Sequence, residues 1–591
     1  MTIRQFSRYR MPYRFGIALF LLALLAVCRP VASAHVAQLS TWPVDAPASR
    51  ACAYVVLAGV INGNWDIVAL DRQHGLALNL TQSPDDERGP SISPDGRTIA
   101  FAAHHDHNWD VYTMDFAAGS LHRLTDDPAY DGQPAWSPDG MRVAFESYRD
   151  GNLEIYTMPA HGGPATRVTT EPAADVGPIW TADGEGLIIG SWRSGARQLY
   201  RADLASGQST TPDEDASQPA LSPDGQRLAY VSTHDTTRRL AIRNLTSGEV
   251  VLDSADDNQR EWPAWMPSAG RSSLLALELT GGGPYHYPTG WSLNFMHGDV
   301  HNGWTRAQTL PGQWERPSCL AADMPLKGAW QPLAHMLGTH TAPDTMIPRG
   351  LAMLPNVQAL QPRLAAAVTD SFMRLRQRTR DASGHDFLGV LNDAWRDLDH
   401  PSAGFLSWHK TGRAMDLRDW YAPGGQQTLF IARQILAGQT YFRIYLRAAR
   451  QDGSQGMPLR ENLWQTDGRL ARPDLAAAGG QALAPPRGYF VDFTDLAERE
   501  GWTRIPALTP PDGDWRHTYL DLEFWHYEHR DGLNWYTAMQ HIYDDGELRR
   551  RFTTRLALQE GYSIESLVGV GLPDTPQWLA TNAHRHARCP C

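Results

Sequence analysis

Cysteine is scarce: five residues in a chain of 591 cannot make the disulfide framework that holds small secreted domains together, so the fold has to rest on ordinary hydrophobic cores. Positive charge is also short, with 53 Lys and Arg against 65 Asp and Glu and a net charge of −12. Phosphate binding needs concentrated basic surface, so nucleic acid is not expected as a partner. Long apolar runs are missing too. The one conspicuous run, Ile17 to Val27, is too short to span a bilayer, and no stable transmembrane span is expected in the mature chain.

That run sits in a recognisable setting. Arg4, Arg8, Arg10 and Arg14 precede it and Ala32-Ser33-Ala34 follows, the three parts of a removable export signal over residues 1–34. A lipoprotein reading through Leu25 to Cys28 meets Val27, a poor residue before a lipidated cysteine, so plain secretion to the periplasm, the cell envelope or the medium is preferred. The signal holds five Arg (4, 8, 10, 14 and 29) and no acid, which leaves the mature chain near −12 − 5 = −17. Residues 576–591, ending HRHARCPC, read as a disordered tail. Hydrophobic content of 42% and charged content of 20% describe a globular protein, and the length implies at least two domains.

Residues 51–325 are repetitive. PSISPDG at Pro90, PAWSPDG at Pro134, PIWTADG at Pro178, PALSPDG at Pro219 and PAWMPSAG at Pro263 recur at spacings of 44, 44, 41 and 44. NWDIVALD from Asn64, NWDVYTMD from Asn108, NLEIYTMP from Asn152 and RQLYRAD from Arg197 repeat in the same frame. A period of 40–45 residues, with short alternating strands separated by Pro-Asp-Gly turns, predicts propeller blades, six in all. The Asp and Gly of SPDG read as turn formers, and Trp65, Trp109, Trp136 and Trp180 as packing between blades. The SPDG and YTMD phrases resemble the TolB-type propeller, whose rim or channel could bind a protein, peptide or glycan. RPSCLAAD at Arg316 echoes PSISPDG, so Cys319 is expected to approach Cys52 in the first blade. A disulfide and a pair of buried thiols are both open there.

After a linker over residues 326–345 the pattern changes, and residues 346–575 are expected to form an α+β domain. SWHKTGRAMD (Ser407 to Asp416) and EFWH (Glu523 to His526) together hold two His, an Asp and a Glu. Open catalytic zinc sites commonly take three N/O ligands and keep a carboxylate beside the water position. His409, Asp416 and His526 are the candidate ligands of Zn2+, and Glu523 the candidate base. The pattern S-x-H-x-x-G-x-A-x-D followed by E-x-W-H resembles the D-Ala-D-Ala carboxypeptidase and dipeptidase family of zinc peptidases, whose relatives include L-Ala-D-Glu endolysins. The resemblance implies a peptide or peptidoglycan substrate, and an upstream Arg facing the scissile carbonyl, here Arg396, whose alternative is a surface ion pair. The interval between Asp416 and Glu523 is long for that family. Thr428 to Leu436 and Tyr441 to Ala448 read as added strands and Ala471 to Pro486 as a loop, and such insertions around a cleft set specificity. Ser407, Gly412 and Ala414 read as structural, and Trp408, Trp420, Phe524, Trp525 and Trp535 as core more than as stacking platforms. The reading is an exported zinc peptidase with a propeller; the alternative is an envelope binding protein with a peptidase-like module that does not cleave.

Overall fold

The repeated SPDG phrase is a turn with its own hydrogen bonds. Ser93 Oγ donates to Asp95 Oδ1 at 2.6 Å, the same carboxylate accepts from Arg97 N at 3.1 Å, and Gly96 takes φ +73°, which only glycine adopts freely. Ser137–Asp139, Thr181–Asp183 and Ser222–Asp224 repeat the bond. These acids close turns, as their spacing suggests.

The structure, a computed structural model, describes residues 52–575 except 206–208, 214–215, 233–237, 253–258, 267–272, 281–289, 297–303, 322–323, 325, 338–347, 401–403, 468–471, 510–512, 563–566 and 568. The expected signal over residues 1–34, the tail over 576–591, and Cys28, Cys589 and Cys591 lie outside the described residues.

Between the turns the described residues form six antiparallel sheets in succession, a sheet-rich region of β-propeller type. Five hold four strands each, the first of these running from Glu87–Ile92 to Leu121–Arg123 and the last from Arg260–Met266 to Trp304–Pro311. The remaining sheet joins the two ends of the region, because Trp314–Leu320 pairs antiparallel with Tyr54–Ile61. First strands of neighbouring sheets lie against one another, and Trp314–Leu320 touches both Glu87–Ile92 and Arg260–Met266. Cys52 and Cys319 form a disulfide with Cα atoms 5.0 Å apart.

Each of these inner strands carries a β-bulge at the same place, just before its proline. The bulged residues are Gly89, Gln133, Gly177, Gln218, Trp262 and Arg316, all with φ between +50° and +65°. Four of the six are not glycine, although a left-handed backbone costs such a residue about 1–2 kcal/mol. Bulges re-aim side chains; these four line one cavity.

Tryptophan packing follows the expectation in part. Trp136, Trp180 and Trp265 each donate Nε1 to a carbonyl of the preceding sheet, those of Ser91, Ala135 and Ala220, at 2.9–3.1 Å. Trp65 and Trp109 add a second partner. Trp65 packs under Arg88 and beside Ile99 and Phe101 of the next sheet while its indole reaches Asp495 at 3.2 Å, and Trp109 packs on Tyr130 at the start of the next sheet in a buried cluster with Ala448 and Tyr489, so both meet the later region as well.

The stretch expected as a linker starts as part of the first sheet. Gln331 and Pro332 pair with Leu76 and Ala77, and Leu333 and Met336 enter the core around Cys52. Beyond it lies a mixed α and β region. The 18-residue helix Ala366–Ser383 buries Val368, Phe372, Leu375 and Thr379, one face at helical spacing, in a core with Leu446, Phe493, Trp502 and Tyr527. The segment from 386 to 395 holds one short 3-10 turn, Phe387–Gly389, and is otherwise neither helix nor strand. Leu429–Leu436 and Gln439–Arg447 are the expected added strands, paired as a hairpin. Pro473–Ala478 and Gln481–Leu483 are a helix and a strand where a plain loop was expected.

The two regions belong to one unit of the chain, joined mostly through the insertion. Asp495, buried in the first turn of helix Phe493–Arg499, accepts from Trp65 Nε1 and pairs with Arg88 at 3.1 Å. Arg499 bridges Asp495 and Asp86, Arg460 meets the fully buried Glu146 at 3.1 Å, and Gly488 N donates to Tyr148 Oη at 2.7 Å. The insertion, expected to border a substrate cleft, contacts the first sheets through these residues and lines a cavity together with the inner strands.

Candidate metal centre

Two separated motifs meet because two short strands pair. Ala414–Asp416 runs antiparallel to His526–Glu528, with Asp416 opposite His526, and Thr503–Arg504 flanks the second strand. His409 comes from the turn before, the 3-10 segment Trp408–Thr411. Ser407 Oγ caps it by accepting from His409 N at 3.3 Å. Gly412 ends it at φ +65°, where a Cβ would stand 2.7 Å from the Ala365 nitrogen. The glycine is a requirement of that turn, as is the small Ala414, fully buried opposite Glu528.

The ligand atoms of His409, Asp416 and His526 lie within 4.8 Å of one another, and all three residues are buried. His409 Nδ1 is 2.5 Å from the carbonyl oxygen of Ala394. A carbonyl only accepts, so Nδ1 carries a proton, and Nε2 is the nitrogen left to offer a metal ion. That Nε2 is buried with no hydrogen-bond partner, 3.2 Å from Asp416 Oδ2. In the neutral ring that nitrogen's lone pair would face the carboxylate, so a cation, either a proton or a metal ion, has to lie between them. On the other side, His526 Nδ1 is 2.8 Å from Asp416 Oδ1 and its Nε2 is 3.2 Å from Glu528 Oε1. The second nitrogen of each ring is therefore held by a protein acceptor, the arrangement that orients metal-bound imidazoles. The donor set fits a divalent ion such as zinc.

Electrostatics agree with a strongly polarised centre. Burial alone would raise the Asp416 carboxyl, yet its contacts with His409 and His526 hold it far below the usual carboxylate range. Burial opposes charge on His526, but Asp416 and Glu528 outweigh it and push the imidazole up to about 10. Two anions around one ring create a demand for positive charge that a second proton or a metal ion satisfies.

Glu523 ends the 3-10 turn Leu520–Leu522 with φ +52°, a strained backbone for a non-glycine residue of the kind that collects at functional sites. Its carboxyl is raised by burial, with His526 pulling it down and Asp416 pushing it up. Arg396 reaches the same centre, its Nε 2.5 Å from Asp393 and its Nη2 3.3 Å from Asp416 Oδ2. It is no surface ion pair, since its side chain is 20% exposed and its contacts hold Asp416 in place. Phe524 and Trp535 are buried, whereas Trp420 is 62% exposed. Glu528, Asp393 and the Ala394 carbonyl hold His526, Arg396 and His409 in this candidate site, and motif reading missed all three. Glu528 had a signal: in HYE it lies two residues from His526, on the same face of a strand.

Comparisons with known proteins bear on the first half. Residues 53–271 match the family model described as the TolB beta propeller domain. Among solved structures, TolB from Acinetobacter baumannii is similar at 22% identity and TM-score 0.38, over 45% of this chain and 66% of that one. A putative TolB from Agrobacterium tumefaciens is similar at 17% identity and TM-score 0.35, over 44% and 89%. A puromycin-hydrolyzing peptidase from Mycobacterium tuberculosis is similar at 14% identity and TM-score 0.32, over 46% and 56%. No curated protein sequence matches the chain. Among the described residues, no helix is long and apolar enough to cross a membrane.

Proposed function

We propose that this chain is an exported zinc peptidase acting on cell-wall peptides, with the six sheets forming a closed six-bladed propeller that binds a partner or substrate. One observation carries the metal reading: the buried Nε2 of His409 has no hydrogen-bond partner and faces Asp416 beside Nδ1 of His526. His409 Nε2, Asp416 and His526 Nδ1 would hold the ion, with Ala394 O and Glu528 fixing the two rings. Bound there, zinc supplies Lewis acidity toward a peptide carbonyl and a water molecule. Glu523 is the base that takes the water's proton and returns it to the leaving amine, and burial keeps its affinity for that proton high. Arg396 steadies Asp416 and keeps cationic charge beside the carbonyl oxygen. The cell-wall substrate rests on the resemblance of the two motifs to the D-Ala-D-Ala peptidases.

The test compares wild type with His409→Ala, His526→Ala and Glu523→Gln by elemental analysis and by hydrolysis of D-Ala-terminated and L-Ala-D-Glu peptides. Both His variants should lose the metal and all hydrolysis. Glu523→Gln should keep about one zinc per chain and lose at least ~10²-fold in rate. Wild type without stoichiometric metal after metal-replete purification would refute the enzyme and leave a binding protein.

A further inference from the structure

We infer that the cavity between the sheet region and the later region is a binding site for a small ligand carrying an oxyanion, with Arg197 and Arg316 as its receptors. The cavity measures about 1030 Å³, and none of the metal-centre residues lines it. Its walls come from the inner strands on one side and from the insertion on the other, including Arg460, Glu461 and Asn462.

Arg197 departs from the repeat. Counting back six residues from the acid that ends each strand (Asp71, Asp115, Asp203) or from Pro159 and Asn244 in the same place, the sheets carry Trp65, Trp109, Leu153, Arg197 and Arg238. The first three are buried apolar side chains. The two arginines line the cavity. Arg238 pairs with Glu261 at 2.9 Å. Arg197 makes no ion pair among the described residues, its buried Nε has no hydrogen-bond partner, and its guanidinium stands 5.3 Å from the Trp192 ring centre. Glu461 is near enough to be felt by Arg197 but makes no ion pair with it.

Arg316 is the second receptor. It occupies one of the left-handed bulge positions, φ +56°, where glycine would avoid the strain. Among the described residues its guanidinium donates to neutral acceptors only, Gln133 Oε1 at 2.8 Å and Gly89 O at 3.3 Å, with Glu315 felt nearby but not ion-paired. Arg460 lies between the two in charge, facing Glu146 at 3.1 Å, and repels both. Burial, with Arg460 and Arg238 beside it, pushes the Arg197 guanidinium down to about 10. Glu146, Glu315 and Glu461 stand on the walls and draw on the two cations but form no ion pair with either among the described residues; two buried guanidiniums without a paired carboxylate are costly, and an arriving oxyanion lowers that cost by accepting from their N–H groups. The volume suits a short peptide or a small metabolite.

Tri-alanine, tri-alanine amide and inorganic phosphate are titrated calorimetrically into the full metal-loaded chain and into Arg197→Leu, which restores the residue type found at Leu153. Tri-alanine and phosphate separate a peptide carboxylate from a free phosphate as the oxyanion's source. At least one of the two should bind wild type, and at least ~10-fold more weakly to the variant, since a charged hydrogen bond is worth about that factor. If the oxyanion is a carboxylate, the amide also binds at least ~10-fold more weakly than tri-alanine. Without probe, Arg197→Leu should be at least as heat-stable as wild type, because an unpaired buried cation has gone. The inference fails if neither anion binds, if Arg197→Leu binds both as wild type does, as binding at the metal centre would, or if the probe-free variant is destabilised, as a purely structural Arg197 requires. None of these readouts uses hydrolysis, so this result and that of the peptidase test stand apart.

Discussion

The disulfide between Cys52 and Cys319 should govern how firmly the sheet region closes. It spans 267 residues, and the chain-entropy relation assigns a loop of that length about 5–6 kcal/mol of destabilisation of the unfolded chain. The bridge does not act alone. Trp314–Leu320 stays paired with Tyr54–Ile61, and the later region reaches both ends of the loop through Trp65–Asp495 and Gln313–Glu498. Residual structure in the reduced, unfolded chain lowers the effect further, so a loss of about 2–5 kcal/mol is expected. Guanidinium unfolding followed by the fluorescence of the 21 tryptophans reads it out, with oxidised protein compared with protein held reduced. The Cys52→Ala, Cys319→Ala double variant should unfold like the reduced wild type and be indifferent to reductant. Equal midpoints for oxidised and reduced wild type would refute the reasoning and assign closure to strand pairing alone.

Glu528→Gln leaves all three metal ligands in place but weakens the acceptor of His526 Nε2, so zinc affinity should fall about 10–100-fold in competition with a chelator, with one ion per chain still bound at saturation. Gly177→Ala should cost roughly 1–2 kcal/mol in thermal unfolding, because φ is +59° while the space for a Cβ is open; no loss would mean that the bulge relaxes. Burial pushes the Glu87 carboxyl from its ordinary 4.5 up to about 8. Between those values the folded chain holds a proton that the unfolded chain has released, so stability should fall as pH rises from about 5 to 8. Glu87→Gln should flatten that slope in denaturant midpoints, and an unchanged slope would count against it. A fragment of residues 52–337 should fold more stably than one of 52–325, which loses Pro332, Leu333 and Met336 from the first sheet and its core; equal melting of the two would show these contacts to be idle.

The parts legible in the sequence were those with short-range rules. Turn acids such as Asp95 and Asp139 announce themselves because their bonds close within a few residues, and the 44-residue period follows from them. The metal motifs were legible because residue type and local spacing carry the chemistry, as with His409 beside Gly412. What was hidden depends on partners far along the chain. Nothing in NWD tells that the Trp65 indole meets a carboxylate 430 residues away, or that the segment inserted between Asp416 and Glu523 packs on the sheet region and walls a cavity with it. Glu528 lay between the two cases. Its place beside His526 was visible, but its role needed the facing nitrogen to be seen.

Asp495 makes the later region hard to transplant. A module that evolution moves from gene to gene meets its neighbours through exposed, forgiving surface. Here a buried carboxylate at the start of a helix waits for Trp65 and Arg88 from the other half. Grafted onto a different partner, the helix would carry an anion whose counter-charge from that half stayed behind. The two halves therefore inherit together: a lineage that changes one of these three residues has to change its counterparts, and lineages that kept only the later region should show an apolar or amide side chain at position 495.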